Sequence, residues 1–263
     1  MAIKAVFFDI DGTLVSASGT ILDSTRRAIA LARENGHKTL INTGRTFQNV
    51  DPEIRELGFD GLVCGCGTHV ILDGKTLFYQ TQSAERCAQI AACCRDCQVS
   101  PLYERRDLMF YDPAARKLPG FLELETVYEQ KKAIMRAIAS PEDPSFWFDK
   151  FVIWYDAQSD LERFHQVADP EFFCIDRGVG FAELVPHGYT KASGMQVVLD
   201  ALHADSTDTL AIGDSLNDLE MLQAAQVGIC MGNSPMLEPY ADYVTAPLEE
   251  DGLFLAMQHF GLF

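Results

Sequence analysis

An apolar run followed at once by two aspartates, near the start of the chain, constrains the fold most. Ala5–Phe8 is apolar throughout, and residues 9–14 read Asp-Ile-Asp-Gly-Thr-Leu. Four consecutive residues of a buried type predict a strand covered on both faces, as in a parallel sheet flanked by helices. Asp9 and Asp11 would follow its carboxyl end, where ligands bind in open α/β sheets. A strand continuing through them places both carboxylates on one face, ~6–7 Å apart, although an Asp-Gly turn alone also explains these residues.

The first and last thirds of the chain alternate between strand and helix patterns. The predicted strands are residues 5–8, 38–42, 62–64, 209–212 and 227–231, with a hairpin at 70–72 and 76–79. The predicted helices are residues 24–35, 46–57, 192–203, 216–225 and 252–260. This succession predicts an α/β fold with a doubly wound parallel-sheet, Rossmann-like core.

The middle of the chain has a different pattern. It carries helix candidates at 84–97, 126–139 and 160–168 and strand candidates at 146–155, 172–175 and 180–185, punctuated by prolines. We therefore expect residues 83–185 to form an inserted α+β cap domain and residues 1–82 plus 186–263 to form the core.

Composition excludes several partners. The formal net charge is −17, from 38 acidic and 21 basic residues, which argues against nucleic acid and against anionic membranes. No apolar run is long enough to span a bilayer, and Asp9 interrupts the N-terminal apolar stretch too early for a signal peptide. Eight cysteines without a signal sequence fit a reducing, cytoplasmic location better than a disulfide framework. The oligomeric state is left open.

Three further clusters of polar residues could carry chemistry. Thr43 follows the second predicted strand, and Gly213 to Asp218 (Gly-Asp-Ser-Leu-Asn-Asp) follow a later one. Lys191 precedes a predicted helix and is the last Lys or Arg in the chain. Each has a simpler explanation: Thr43 could cap a helix, Ser215 and Asp218 have capping-box spacing, and most lysines are solvated.

Taken together, the clusters suit phosphoryl transfer. Two neighbouring carboxylates stay ionised most easily beside a metal ion, and Mg²⁺ prefers oxygen ligands such as Asp9 and Asp214. A carboxylate can approach an anionic phosphate only if cations cancel the repulsion, so an isolated lysine has a clear use.

The four clusters, in this order, resemble the four motifs of the haloacid dehalogenase-like superfamily in its phosphatase branch. The matching residues are Asp9 to Leu14 for the first motif, Thr43 for the second, Lys191 for the third and Gly213 to Asp218 for the fourth. An insert between the second and third motifs is similar to the Cof-type subgroup with a type-2B cap. The resemblance covers roughly residues 1–82 and 186–263.

The resemblance implies a role for each residue. Asp9 is the nucleophile that forms an aspartyl-phosphate, and Asp11 is the acid that protonates the leaving oxygen and then the base for water. Mg²⁺ is held by the Asp9 side chain, the Asp11 carbonyl and Asp214. The remaining roles belong to Thr43, Gly44, Lys191 and Asn217 on the phosphate and to Asp218 in support.

This assignment predicts an Mg²⁺-dependent phosphatase acting on a small phosphorylated metabolite, with a sugar phosphate as one candidate. A phosphosugar mutase of similar architecture is an alternative, and it would need extra cap cations for a second phosphate. Arg105-Arg106, Arg116-Lys117 and Lys131-Lys132 are the candidates for that role. A non-enzymatic phosphoacceptor domain is a further alternative, against which Asp11 and the large insert argue.

Overall fold

The structure is a computed structural model that describes residues 5–130 and 134–263. It divides into two compact units. The first unit comprises Met1–Arg45, Val50–Tyr79 and Tyr189–Phe263, and the second comprises Thr46–Asn49 and Gln80–Gly188. The boundaries 1–82, 83–185 and 186–263 remain our proposal for where separate domains begin and end.

The described residues contain strands and helices of ordinary length. The strands are β1 (Ala5–Phe8), β2 (Lys38–Asn42), β3 (Gly61–Cys64), β4 (His69–Leu72), β5 (Lys75–Tyr79), β6 (Ser100–Glu104), β7 (Met109–Tyr111), β8 (Met135–Ala137), β9 (Lys150–Trp154), β10 (Phe172–Asp176), β11 (Phe181–Pro186), β12 (Thr209–Gly213), β13 (Val227–Cys230) and β14 (Tyr243–Val244). The helices are α1 (Asp23–Glu34), α2 (Pro52–Arg55), α3 (Ala84–Asp96), α4 (Pro119–Gln130), α5 (Leu161–Ala168), α6 (Lys191–Leu202), α7 (Leu219–Ala224) and α8 (Gly252–His259). None of the helices in the described ranges is long and apolar enough to cross a membrane.

The first unit contains an eight-stranded sheet in the order β14-β13-β12-β1-β2-β3-β4-β5. Neighbouring strands from β14 to β3 are parallel, and β4 and β5 add an antiparallel hairpin at one edge. The predicted parallel core is therefore confirmed.

Helices cover both faces of this sheet. Side chains alternate along β1, and Phe7 lies in a buried cluster with Met195 of α6 and Met221 of α7. Val6 and Phe8 are also fully buried and face the other side, where α1 contacts β2 and α8. This explains why all four residues of β1 are apolar, as the sequence indicated.

The register of β1 positions the following residues. Phe8 pairs with Ile41 of β2 and with Ile212 of β12, and the Asp9 amide donates to the Ile212 carbonyl at 3.0 Å. Asp9 therefore emerges between the carboxyl ends of β2 and β12. The chain order of the strands reverses at this point, and such switch points are where α/β sheets bind ligands.

The second unit contains a six-stranded sheet in the order β10-β11-β9-β6-β7-β8. The pairs are antiparallel except for β7 with β8. Cys87 of α3 and Phe164 of α5 pack with Phe151 in a core on one face, and Phe121 of α4 packs with Val152 on the other. The predicted inserted α+β fold is confirmed.

Two of the predicted helices differ most from the structure. Instead of a helix over 46–57 there is a 3-10 turn at Phe47–Asn49 and then α2, because Pro52 disfavours helical geometry in the residue before it. The helix predicted at 126–139 instead begins at Pro119, and Met135–Ala137 is a strand that pairs with β7. Residues 131–133 of that prediction lie outside the described residues.

The strand predicted at 146–155 is shorter in the structure, and β6, β7 and β14 have no counterpart among the predicted strands. Phe146 ends a turn in which its amide donates to the Asp143 carbonyl, so β9 spans only Lys150–Trp154. Pro101 obscured β6 in the sequence. Proline is tolerated at this position because β7 pairs only with Leu102–Glu104. The N–H that Pro101 lacks would therefore form no bond to β7.

Candidate active site

A cluster of three carboxylates lies at the switch point of the first unit. Asp9, Asp214 and Asp218 each offer an oxygen atom, and these oxygens lie within 4.8 Å of one another. Asp9 and Asp218 are buried, and Asp214 is half-buried. The three arrive from the ends of two neighbouring strands, β1 and β12, although more than 200 residues separate them in the chain.

Lys191 supplies the positive charge in this cluster. Its Nζ lies 2.6 Å from Asp9 Oδ1 and 2.5 Å from Asp218 Oδ1, and the residue is 1% exposed. Lys191 is the first residue of α6, whose N-terminus is capped reciprocally by Thr190 and Ser193. The Asn42 side-chain amide donates to the Lys191 carbonyl at 2.9 Å. The cap and this bond fix the backbone from which the ammonium reaches the acids.

The electrostatics of the cluster are dominated by its acids. Burial alone would lower the pKa of Lys191, but the charges of Asp218 and Asp9 outweigh it and raise that pKa. Burial, with Asp218 adding to it, raises the pKa of Asp9 well above its ordinary value, and Lys191 opposes this only in part. The same two causes raise the pKa of Asp214 to about 6. One ammonium therefore does not compensate three carboxylates.

Both carboxylate oxygens of Asp218 accept hydrogen bonds. Its Oδ2 accepts the backbone N–H groups of Asp214 and Ser215 at 3.0 and 3.1 Å, and its Oδ1 accepts from Lys191. The capping explanation for Ser215 and Asp218 is thus correct, but it does not exhaust the role of the carboxylate. The Asn217 side chain accepts a bond from the Ser215 hydroxyl at 2.5 Å and is half-buried.

Thr43 and Gly44 follow β2 directly. Thr43 is 1% exposed, and its amide donates to the Val63 carbonyl at 2.8 Å. Its hydroxyl accepts the Arg45 amide at 3.1 Å. Like Asp9, Thr43 lies at the carboxyl edge of the parallel sheet.

Asp11 lies differently from the position that strand alternation predicts. β1 ends at Phe8, so the two-residue alternation does not extend to Asp11. Its side chain is 62% exposed and forms bonds of 2.9 and 2.5 Å to the Arg45 guanidinium. Arg45 also donates to Asp51 at 3.0 Å. In the described residues, the carboxylate cluster includes Asp218 and not the Asp11 side chain.

Sequence reasoning missed two glycines that shape the site. A Cβ on Gly213 would lie 2.4 Å from the carboxyl carbon of Asp218, and one on Gly12 would lie 2.3 Å from Asp214 Oδ2. Gly12 also has a positive φ of 78°, which favours glycine. The signal in the sequence was that each glycine stands beside an aspartate of the predicted site. A carboxylate packed closely against a backbone position leaves no room there for a Cβ.

The donor set fits a divalent cation. Asp214 Oδ1 is buried without a hydrogen-bond partner among the described residues, which is costly for a carboxylate oxygen. Three carboxylates and one ammonium leave an excess of negative charge, and their oxygens suit a hard ion. Asp9 and Asp214 are the residues with ligand atoms available to such an ion, since both oxygens of Asp218 already accept hydrogen bonds.

Comparisons with known proteins point to one family. Residues 6–257 match the sequence model of the haloacid dehalogenase-like hydrolase family. A candidate phosphatase of Bacillus subtilis (strain 168), YkrA, is 30% identical over 98% of both chains. YcsE of the same organism, a 5-amino-6-(5-phospho-D-ribitylamino)uracil phosphatase, is 24% identical over 99% of this chain and 96% of its own. The solved subclass IIB sugar phosphatase BT4131 has a TM-score of 0.83 and 27% identity, covering 99% of this chain and 100% of that one.

Proposed function

The chain belongs to the haloacid dehalogenase-like hydrolases and is a phosphatase, and from this premise we propose that it hydrolyses a small phosphorylated metabolite through an aspartyl-phosphate on Asp9. The observation that carries the proposal is the buried Lys191 ammonium, which touches Asp9 and Asp218 beside the free oxygen of Asp214. This arrangement supports neutralising a phosphate as the Asp9 carboxylate approaches it.

The reaction takes two displacements. An Asp9 oxygen attacks phosphorus while the bond from phosphorus to the alcohol oxygen breaks, and Asp11 donates a proton to that leaving oxygen. Water then attacks the phosphorus of the aspartyl-phosphate and gives a proton to Asp11, while the bond from phosphorus to the Asp9 oxygen breaks and releases phosphate. Lys191, Thr43, Gly44 and Asn217 would hold the phosphoryl oxygens, and Asp218 would hold Lys191 in place.

We assign the cation as Mg²⁺, held by the Asp9 side chain, the Asp11 backbone carbonyl and Asp214. The orphaned Asp214 oxygen and the raised pKa values of Asp9 and Asp214 support a divalent ion here. When bound, Mg²⁺ supplies charge neutralisation for the phosphate and keeps Asp9 ionised.

Asp11 has to change partners during this cycle. The Arg45 guanidinium holds the Asp11 carboxylate at its exposed position. A general acid must come within hydrogen-bond distance of the leaving oxygen, although geometry without substrate does not exclude one that lies further away. We therefore assign Asp11 as the acid and base, released from Arg45 when substrate binds.

The leaving group is proposed to be a sugar or another small polar alcohol. The names of YcsE and BT4131 support this class. The mutase alternative gains little support from the insert, because three of its candidate cations already face carboxylates: Arg105 contacts Asp107, Arg116 contacts Asp156, and Lys117 contacts Glu125. Lys131 and Lys132 lie outside the described residues.

A cytoplasmic location is part of the proposal. No cysteine of the described residues forms a disulfide, and seven of the eight are buried. This pattern fits a reducing compartment.

A screen of phosphorylated metabolites, with and without Mg²⁺, tests the proposed function. We expect Mg²⁺-dependent release of inorganic phosphate from sugar phosphates and from p-nitrophenyl phosphate. Recovery of an isomeric phosphosugar instead of free phosphate would identify a mutase. Absence of phosphate release from every compound, with Mg²⁺ present, would contradict the proposal.

Stabilisation by Mg²⁺ should depend on pH. The pKa of Asp214 is raised to about 6 in the folded protein, above ~3.9 in an unfolded chain. Without metal, this group favours folding below ~3.9 and loses that contribution as the pH rises through about 6. Metal ligands must be ionised, so we expect Mg²⁺ to raise the thermal unfolding midpoint more at about pH 7.5 than at about pH 5.

Thermal unfolding in EDTA and in Mg²⁺ at both pH values measures this effect. Asp214→Asn is the comparison variant: it removes both the titrating group and a proposed ligand, so the Mg²⁺ shift should be small at both pH values. An equal Mg²⁺ shift at both pH values in the wild type would contradict the prediction.

Gly12→Ala should weaken Mg²⁺ binding. The new Cβ would lie 2.3 Å from Asp214 Oδ2 and push that carboxylate away. Displacing a ligand in this way typically costs 10–100-fold in metal affinity, and we expect a rise of at least ~10-fold in the Mg²⁺ concentration for half-maximal activity.

Gly19→Ala is the matched control for Gly12→Ala. Gly19 has φ of +80° against +78° for Gly12, but nothing lies within 4 Å of its added Cβ. Both variants carry the same backbone strain, so only Gly12→Ala should alter the Mg²⁺ dependence. If both variants shift it equally, the effect comes from backbone strain and not from Asp214.

A further inference from the structure

The outer edge of β10 is open for pairing. β10 is the terminal strand of the six-stranded sheet and, among the described strands, pairs only with β11. The Arg177 amide donates to the Phe181 carbonyl, and the His187 amide donates to the Glu171 carbonyl, both at 2.9 Å. These bonds show that odd-numbered residues direct their backbone groups toward β11. By antiparallel alternation, Phe172, Cys174 and Asp176 direct theirs outward.

This edge has few of the features that usually prevent strands from pairing. β10 reads Phe-Phe-Cys-Ile-Asp, with one charged residue at its end and no lysine, proline or bulge against β11. Phe173 is 61% exposed. A cavity of about 380 Å³ opens beside Cys174, and its lining includes Leu161 and His165 of α5. Helix α5 therefore leaves room along this side of the strand.

A second copy of β10 complements this edge when it runs antiparallel and the two Cys174 residues lie opposite each other. In that register, Phe172 and Asp176 form hydrogen-bonded pairs, as do the two copies of Cys174, so that every outward backbone group of β10 is satisfied. On the other face of the paired strands, Phe173 of one copy lies opposite Ile175 of the other, which is an apolar cross-strand pair. Beyond the strand ends, Glu171 of one copy lies opposite Arg177 of the other, so opposite charges face each other at both ends.

Shifting the register by two residues removes these advantages. When the pairing is centred on Phe173, Asp176 has no partner within the second β10, and when it is centred on Ile175, Phe172 has none. In both cases Glu171 of one copy no longer lies opposite Arg177 of the other. Glu171 and Arg177 already contact Arg86 and Glu183 within the chain, so the crossed pairs would extend existing ion pairs. The Cys174 register is therefore the favoured one.

We propose that this chain forms a two-fold symmetric dimer in which β10 pairs antiparallel with β10 of a second copy, centred on Cys174. The interface is isologous, since the same strand serves both copies. It joins two six-stranded sheets into one continuous sheet and removes the exposed edge from each.

Cysteine cross-linking tests the register. Cys174 is half-buried, whereas the other seven cysteines are buried, and directly opposed residues in an antiparallel pair have Cα atoms ~5.5 Å apart. A short bis-maleimide, which adds one thiol to each of its two double bonds, should link native protein into a species of twice the 29.2-kDa chain mass. The link should be lost in Cys174→Ser and should leave Cys64 and Cys230 unmodified.

Sedimentation velocity over a micromolar concentration series tests the pairing itself. Wild type and Cys174→Ala should sediment as dimers at the upper end of the series. Cys174→Pro removes one outward N–H without touching a bond to β11 and should sediment as a monomer. A far-UV circular dichroism spectrum and a cooperative thermal transition like those of the wild type show that both variants fold.

The outcomes are separable. A wild type that stays monomeric throughout the series overturns the proposal, as does a dimer that persists in Cys174→Pro. Cross-linking through a cysteine other than Cys174 overturns the register. Because none of these readouts requires turnover of a natural substrate, they are independent of the proposed function.

Discussion

Asp9→Asn should reduce turnover of any accepted phosphomonoester by at least ~10⁴-fold, as expected for loss of a covalent nucleophile. The amide cannot form the phosphorylated intermediate, and it cannot pair as an anion with the Lys191 ammonium, which now lies 2.6 Å from Asp9 Oδ1. Initial rates of phosphate release under saturating Mg²⁺ measure the effect.

Folding of Asp9→Asn should be little affected. The pKa of Asp9 is raised by burial and by Asp218, so its charge is held in an unfavourable site. Lys191 also keeps Asp218 as a partner at 2.5 Å. We therefore expect a thermal unfolding midpoint close to that of the wild type. A variant that folds and still turns over would eliminate the covalent mechanism while leaving the family assignment intact.

Asp11→Asn separates the two displacements and serves as a comparison variant. Asp9 remains able to attack, but no group assists the water in the second step. We expect kcat to fall ~10²–10⁴-fold, the usual contribution of a general acid–base group. With an activated leaving group such as p-nitrophenol, labelled phosphate should accumulate on the protein in Asp11→Asn and not in Asp9→Asn.

Lys191→Met should have the largest effect on stability and activity together. The ammonium is 1% exposed and contacts Asp9 and Asp218. Removing it leaves two buried carboxylates without their cation, which typically costs ~3–5 kcal/mol of unfolding free energy. Because the pKa of Lys191 is raised in the folded state, its contribution is fully present below ~10.4, the pKa of an unfolded lysine, and therefore at neutral pH.

The same substitution should lower kcat/KM ~10²–10³-fold, as for removal of one charged donor from a developing phosphoryl charge. Denaturant unfolding and kinetics in excess Mg²⁺ give the two quantities. The double variant Lys191→Met/Asp218→Asn should recover part of the stability, since one unpaired carboxylate is removed, but none of the activity.

Lys150→Met is the matched control for this experiment. Lys150 is 2% exposed in the second unit and faces Glu104 and Glu183 at 3.4 and 3.7 Å. Its removal takes the cation away from one buried carboxylate, that of Glu104, and should destabilise the protein, but activity on p-nitrophenyl phosphate should persist in the folded variant. Equal activity losses in both lysine variants would mean that Lys191 acts only through stability.

Much of the site could be predicted because its residues stand at fixed places in local patterns. Asp9 follows an apolar strand, Thr43 follows the next one, and Asp214 follows a third, so a parallel sheet necessarily collects them at one edge. Lys191 was conspicuous as the last cation in an acidic segment. Their roles in catalysis remain predictions.

The errors come from contacts that local patterns do not show. The helix predicted at 126–139 and the missed strand β6 lie where pairing with a strand far along the chain overrides local propensity. Asp11 was expected beside Asp9 on the assumption that the strand continued, whereas β1 ends at Phe8 and Asp11 pairs with Arg45, 34 residues away.

The sequence by itself determined the parallel α/β core and which residues stand at the ends of its strands, because these follow from apolar runs and turn residues that act over a few positions. Only the tertiary structure decided that Lys191 bridges Asp9 and Asp218, that Asp214 keeps one oxygen without a partner, and that the edge of β10 is exposed. Charge pairing and burial depend on distances across the fold, and spacing along the chain does not encode those distances.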